Sequence, residues 1–388
     1  MTTGTEAISA TGVPRRVQRD GVRRLPWTRR ALVNTGLVAG SLLVALLLAE
    51  VAIRLIAPQQ LILVRPDVWQ PVDMVGWRFR PNLDTRVNWG ERTVRLYTDQ
   101  DGFRVGPHGR VGAPKRVLLI GDSFMAALQV EYEQSLAGLL ESDLHVAVRN
   151  AGQAGWDPPQ YYLEARSLLA RDTFDLVVVS VYLGNDIVTT RPERIAPRVP
   201  VDIRRLRIPR SLAKAELVDA VIRPANDWLE QRSHLFILVK TRLQTLLMRT
   251  GLSADYFPEE FQKNAANTAR WDVTAGMLID IATLARRRHI PTLFMLIPAP
   301  FQVDTSDFNE FRRGFSVDSN TVDLDQPDRL IGDRLRARHL HVVDVLAPFR
   351  AADDSGPPLY GHVDRHLTPR GHTVLARLVE PRIQELLR

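Results

Sequence analysis

Apolar residues follow two rhythms along this chain. Near the N-terminus, no charged residue occurs from Ala31 to Ala49, and Leu42-Leu43-Val44-Ala45-Leu46-Leu47-Leu48 is an unbroken apolar run. As a helix rising ~1.5 Å per residue, this stretch spans about 28 Å, close to the hydrocarbon core of a bilayer. From Arg116 onward, short apolar runs alternate with longer segments of helical period. The runs Val117–Ile120, His145–Asn150, Leu176–Val181, Thr292–Ile297 and His341–Val345 have strand length. Helices are predicted near Gln134–Glu141, Gln160–Leu169, Val273–Arg287, Arg329–Arg338 and Thr373–Leu387. Strands alternating with helices imply a parallel sheet with right-handed crossovers and helices on both faces, a three-layer α/β/α arrangement with five strands.

Two stretches break this rhythm. Residues 57–115 are rich in Pro, Gly, Trp and Arg, as in Val75-Gly76-Trp77-Arg78-Phe79-Arg80-Pro81-Asn82 and Asn88-Trp89-Gly90. Thr93–Thr98 alternates enough for a strand, and Asp99–Arg104 reads as a turn. The expectation is a small β-rich stem packed onto the main domain; an edge that binds sugar through its Trp and Arg residues is the alternative. The second break, about 189–267, shows no strong strand but two candidate helices, Leu212–Ile222 and Leu235–Met248. The second aligns Leu235, Leu238, Val239, Leu243, Leu246 and Leu247 largely along one side. That side either packs on the domain, closes over a site as a lid, or faces a membrane or partner.

Composition narrows the functions open to the chain. It has no cysteine, which excludes disulfides, zinc–thiolate sites and thiol chemistry. The net charge of +7 raises the question of nucleic acid. Residues 1–30, however, hold seven arginines (15, 16, 19, 23, 24, 29, 30) against Glu6 and Asp20, a balance of +5 that leaves +2 for the rest. The basic character is a tail of disordered composition, and no nucleic-acid partner is expected. Placed before the apolar run, the arginines predict a cytoplasmic N-terminus and an extracytoplasmic remainder. A cleaved signal peptide is the rival reading, but Glu50 and Arg54 follow the run where a small-residue cleavage site would stand. A buried core helix is the third option. The resulting division is a cytoplasmic tail at 1–30, a transmembrane anchor at 31–56, the stem at 57–115, and the α/β domain at 116–388.

The candidate chemistry lies where the strands end, since ligands of open α/β sheets bind outside the carboxyl ends of the strands. Val117–Ile120 runs into Gly121-Asp122-Ser123-Phe124. Asp122-Ser123 reads either as a helix N-cap or as a turn that lifts a serine hydroxyl toward substrate. The second strand ends at Asn150-Ala151-Gly152, the third at Gly184-Asn185-Asp186, and Asp364-Arg365-His366 lies between the last strand and the last helix. A serine needs a base to become a nucleophile. His366 can be that base, and Asp364 can fix its tautomer. The N–H groups of Ser123 and Gly152 and the Asn185 side-chain amide can form an oxyanion hole. Taken singly, Gly152 and Asn185-Asp186 are ordinary turn residues. His362 and His372 read as surface or supporting groups. His362, Asp364 and His366 lack the further ligands a metal would need, so neither metal nor cofactor is expected.

These blocks resemble those of the SGNH (GDSL-type) hydrolase superfamily. Gly121-Asp122-Ser123-Phe124 is similar to its first block, Gly152 to its second, Gly184-Asn185-Asp186 to its third, and Asp364/His366 to its last. The resemblance covers about Arg116–Arg388, with an enlarged insertion at 189–267. It implies a flavodoxin-like fold, a Ser123–His366–Asp364 triad, and an oxyanion hole from Ser123, Gly152 and Asn185. One departure stands out. The superfamily's usual spacing is Asp-x-x-His, which would place the acid at Val363; here the spacing is Asp364-x-His366. That spacing resembles relatives that acetylate secreted polysaccharides, although their tryptophan after the histidine is Leu367 here. The implied activity is a membrane-anchored extracytoplasmic serine esterase acting on acyl esters, O-acetyl esters and glycan substrates among them. The alternatives are an O-acyltransferase acting on an envelope or secreted polysaccharide, and a non-catalytic binding or assembly protein on the same fold. No protein partner is identifiable from the sequence.

Overall fold

The computed structural model describes residues 27–59, 61, 65–88, 91–200, 223–249, 258–314, 317–362 and 364–388. The expected helix at Leu212–Ile222, Trp89, Val363 and most of the basic tail lie outside the described residues. The chain divides into two compact units, Met1–Val51 and Ala52–Arg388.

The first unit contains most of helix α1 (Trp27–Ile56). Arg30–Ile56 is long and apolar enough to cross a membrane, and none of its most apolar window is buried. Leu32, Leu37, Val38 and Leu48 are all exposed.

The second unit is an α/β domain. Five strands precede its first helix: β1 (Trp69–Val72), β2 (Gly76–Phe79), β3 (Asp84–Asn88), β4 (Thr93–Thr98) and β5 (Arg104–Val105). There follow β6 (Arg116–Ile120), α2 (Ser123–Ala126), α3 (Leu136–Leu144), β7 (Ala147–Asn150), α4 (Pro158–Arg171) and β8 (Leu176–Tyr182). Two insertion helices, α5 (Arg223–Glu230) and α6 (His234–Arg249), lead to α7 (Arg270–Arg286) and β9 (Thr292–Ile297). The chain closes with α8 (Pro300–Val303), α9 (Thr305–Gly314), α10 (Gln326–Arg336), β10 (His341–Asp344), α11 (Leu346–Asp353) and α12 (Pro369–Leu386).

The main sheet runs β10-β9-β8-β6-β7-β5-β4-β3. Its strands β7, β6, β8, β9 and β10 pair in parallel, the order expected of a flavodoxin-like sheet, and every expected strand of the α/β part is present. The strand order reverses between β6 and β8, which pair from Val117↔Leu176 to Ile120↔Val179. A crevice at that switch point is where an open sheet receives its ligand. Val117–Ile120 and Leu176–Val179 are fully buried, because helices cover both faces of these strands.

The sheet is wider than the five strands expected. Strands β3, β4 and β5 continue it antiparallel beyond β7, with Arg104 opposite Asn150. The upstream hairpin β1–β2 joins the core instead of the sheet: Trp69, Trp77 and Phe79 are buried with Trp156 and Tyr161. Burial of aromatic rings at about 25 cal/mol per Å² makes this a substantial part of the core. Trp69 and Trp77 are therefore closed to a sugar. Trp77 instead donates its indole N–H to Ala154 O (2.9 Å), and Trp156 returns one to Trp77 O (3.1 Å). The hairpin thus pins the loop that follows β7.

Candidate active site

The turn after β6 answers the question of cap or nucleophile with both roles, divided between two residues. Asp122 is the N-cap of α2, accepting from the Phe124 N–H at 2.9 Å. Ser123, the first residue of the helix, keeps its hydroxyl for another partner. Its Oγ lies 2.8 Å from His366 Nε2 and 3.5 Å from Asp122 Oδ2. The shorter contact is a full hydrogen bond and the longer one is at the limit. Ser123 and His366 are separated by 243 positions in the chain, so the fold itself makes this pair.

The tautomer of His366 follows from its second nitrogen. Nδ1 lies 2.9 Å from the main-chain carbonyl oxygen of Asp364. A carbonyl only accepts, so Nδ1 carries the proton and Nε2 presents a lone pair to Ser123. Here the arrangement departs from the expected one. The carboxylate of Asp364 stands 4.0 Å from Nδ1 and accepts the main-chain N–H of His366 at 2.9 Å. Asp364 thus orients the imidazole through its backbone, while its carboxylate, 3% exposed, holds the turn and supplies a nearby negative charge.

The turn between the two residues is tight. Arg365 between them adopts φ 59°, a left-handed conformation that costs about 1–2 kcal/mol for a residue with a side chain. Three contacts hold it. The Arg365 guanidinium pairs with Asp307 of α9, the Gly361 N–H donates to His366 O (2.7 Å), and Tyr360 bridges Leu367. Phe124 stacks on Tyr182 (ring centroids 4.3 Å) and lies 4.9 Å from the His366 ring, giving the pair an apolar floor.

The three expected oxyanion donors differ in their present engagement. Ser123 N–H lies in the first turn of α2. Asn185 follows β8 and is exposed. Gly152 packs so closely on α2 that a Cβ there would lie 2.6 Å from Ala126 N and Met125 C. Its N–H, however, donates to Asn150 Oδ1 at 3.0 Å. Asn150, buried at the end of β7, in turn donates to Met125 O at 2.8 Å. Asn150 escapes a reading of the sequence because an asparagine before a turn glycine is common.

Two other buried groups lie near these turns: Arg104, which left no signal in the sequence, and Asp186 of the third block. Arg104 is fully buried and donates to Ala126 O (2.7 Å), Ala127 O and Val130 O (2.7 Å), carbonyls at and just beyond the end of α2. Burial lowers its pKa to about 10, so it remains a cation at neutral pH. Asp186, also buried, accepts from Tyr161 Oη (3.0 Å) and from the Tyr182 N–H (2.8 Å). Burial first and the Asp122 charge second raise its pKa well above the usual range. His372 proves buried rather than superficial: Leu136 N–H donates to its Nδ1, and burial lowers its pKa to about 3, leaving it neutral. Among the described residues no cluster of His, Asp and Glu could hold a metal ion.

Asp122 yields a testable pH dependence. Burial raises its pKa to about 7. A carboxyl raised on folding binds a proton that the unfolded chain has released, so its contribution to stability is lost as pH rises from about 4 to 7. Asp122→Asn keeps the cap, since asparagine caps as well as aspartate. Its melting temperature is expected to fall less between pH 5 and 7 than that of the unmodified protein; parallel curves would contradict the assignment.

Comparison with known proteins gives structural likeness only. No family model matches the chain, and no curated protein matches it. Among solved structures, a member of the lipolytic protein G-D-S-L family from Veillonella parvula DSM 2008 is similar at 11% identity, covering 70% of this chain and 98% of that one, with a TM-score of 0.39. An acetyl xylan esterase is similar at 14% identity, covering 69% and 99%, with a TM-score of 0.39. A catalytic mutant of an acetylxylan esterase from Geobacillus stearothermophilus is similar at 14% identity, covering 70% and 95%, with a TM-score of 0.36.

Proposed function

We propose that this chain is a serine esterase of the SGNH (GDSL) type, held to a membrane by α1, that cleaves acyl esters at Ser123. The observation that carries the reading is the 2.8 Å contact between Ser123 Oγ and the unprotonated Nε2 of His366. Ser123 Oγ attacks the ester carbonyl carbon while Nε2 takes its proton. Nδ1–H stays on the Asp364 carbonyl, and the carboxylate 4.0 Å away favours the imidazolium that forms. The tetrahedral oxyanion draws on the Ser123 N–H and the Asn185 amide. Gly152 joins them by turning its N–H away from Asn150. The alkoxide then leaves with the proton from Nε2, and a water attacks the acyl-serine with Nε2 as base again. The acid is released and Ser123 regains its proton.

The basic flank ahead of α1 supports a cytoplasmic N-terminus and a site facing the other side of the membrane. The direct test is hydrolysis of a chromogenic aryl acetate by the full-length protein. Ser123→Ala is expected to abolish it; an unchanged rate with an intact fold would sink the reading.

The Asp364-x-His366 spacing favours a second outcome for the same acyl-serine, transfer to a sugar hydroxyl. The two share every step up to the acyl-enzyme. Acetyl recovered on an added glycan, at the expense of free acetate, would establish transfer; free acetate alone would count against it.

A further inference from the structure

The insertion helices leave an apolar face that the esterase site does not use. On α6, Val239, Leu243 and Leu246 follow one another at helical spacing and are 55%, 53% and 56% exposed. Trp228 on α5 is 56% exposed, with the Arg232 guanidinium 5.2 Å over its ring. Ile237 and Leu238, on other sides of α6, are half-buried, as are Leu235 and Phe236, which begin the same face near its N-terminal end. The helix is therefore half-buried around its first turn and presents valine and leucine to the outside from Val239 onward. It carries no acidic residue, and Arg242 is exposed beside the apolar row.

Contacts at the base of the hairpin bear on what could cover this face. Arg54 Nη2, in the last turn of α1, donates to Arg232 O at 2.5 Å. The Gln59 N–H donates to His234 Nδ1 at 2.8 Å. Arg232 and His234 bracket the turn between α5 and α6. The residues that leave the apolar helix are thus hydrogen-bonded to the root of the insertion hairpin. If α1 crosses a bilayer, Arg54 and Gln59 stand at its surface, and so does the hairpin they hold. An exposed Trp on α5 and a row of aliphatic side chains on α6, with Arg242 exposed beside it and the Glu230 of α5 buried against Lys240, make the composition of an interfacial hairpin.

We infer that α5 and α6 lie in the headgroup region of the same membrane that holds α1, with Trp228, Val239 and Leu243 among the acyl chains. The inference rests on the anchoring reading. It accounts for the enlarged insertion, because a second attachment fixes the domain at the bilayer surface, where a single helix would let it swing.

The chain's lack of cysteine permits a clean test. Single nitroxide labels are placed through Leu43→Cys, Leu243→Cys and Val111→Cys, the last on an exposed loop position. The full-length protein is reconstituted into vesicles of phosphatidylethanolamine and phosphatidylglycerol. Relaxation by oxygen and by a water-soluble nickel chelate is then compared. Labels at 43 and 243 are expected to favour oxygen, and the label at 111 to favour nickel. A nickel-accessible label at 243 beside an oxygen-accessible label at 43 overturns the docking and leaves the anchor standing. A label at 243 shielded from both reagents overturns it too, in favour of a protein partner. Nickel access at position 43 removes the anchoring reading and this inference together.

Discussion

His366→Ala is expected to lower kcat for ester hydrolysis by on the order of 10⁶, and Ser123→Ala by about as much. The two side chains form one proton-transfer unit, so the double variant should be no slower than either single one. Additive losses would mean that the groups act separately. Asp364 is the informative contrast. Where a carboxylate itself holds the imidazole tautomer, exchanging it for an amide costs about 10⁴. Here the tautomer is held by a main-chain carbonyl that no side-chain replacement removes. Asp364→Asn retains an acceptor for the His366 N–H and loses only the charge. Its kcat is therefore expected to fall by roughly 10- to 100-fold, the scale of an electrostatic effect of about one to three kcal/mol. A loss of about 10⁴ would show that the carboxylate moves onto Nδ1 during turnover.

The largest stability effect is expected at Arg104. Helix α2 ends after one turn, leaving carbonyls with no partner in the helix. Ala127 then turns left-handed at φ 50°. Arg104 crosses from β5 and satisfies Ala126, Ala127 and Val130 with one guanidinium. A cation is also favoured at a helix C-terminus. Burial dominates over the nearby Tyr132, Glu131 and Glu133, which is why its pKa is lowered to about 10. Arg104→Ala removes the cation but strands buried carbonyls at about 1–3 kcal/mol each. The combined loss, after partial relaxation, is expected near ~3–5 kcal/mol, measured by denaturant unfolding of the detergent-solubilised chain. Arg104→Lys should recover only part of it, because an ammonium cannot reach three carbonyls with a fixed fork. A change within about 0.5 kcal/mol, the range of ordinary surface substitutions, would contradict the clamp.

The contrast between Ser123 and Arg104 explains what was legible in the sequence. Strands β6 to β10 could be read because each is a short apolar run bounded by turn residues, and the central ones are buried on both faces. Ser123, Gly152 and Asn185 stand out in the sequence because they follow strand ends, where such sheets bind ligands, and His366 because it lies between the last strand and the last helix. The three antiparallel strands were harder. Asp84–Asn88 buries only Val87 among mostly exposed neighbours, and Arg104–Val105 is two residues long. Arg104 itself looks like any surface arginine in a turn, since its partners are backbone atoms that no side-chain pattern marks. The Asp364 carbonyl was invisible for the same reason. Spacing points to Asp364, whereas which of its oxygens meets Nδ1 depends on the left-handed Arg365 between it and His366. The α6 face was legible as a stripe, but whether it turned inward or outward depended on what surrounds the hairpin.

The central claim is that Ser123 becomes acylated, and mapping the covalent adduct tests it most directly. The full-length protein is treated with a fluorophosphonate, digested, and analysed by mass spectrometry. One adduct is expected, on the peptide bearing Ser123, lost in Ser123→Ala and strongly slowed in His366→Ala. Folded protein that remains unlabelled, or that carries the adduct at another residue, would contradict the claim.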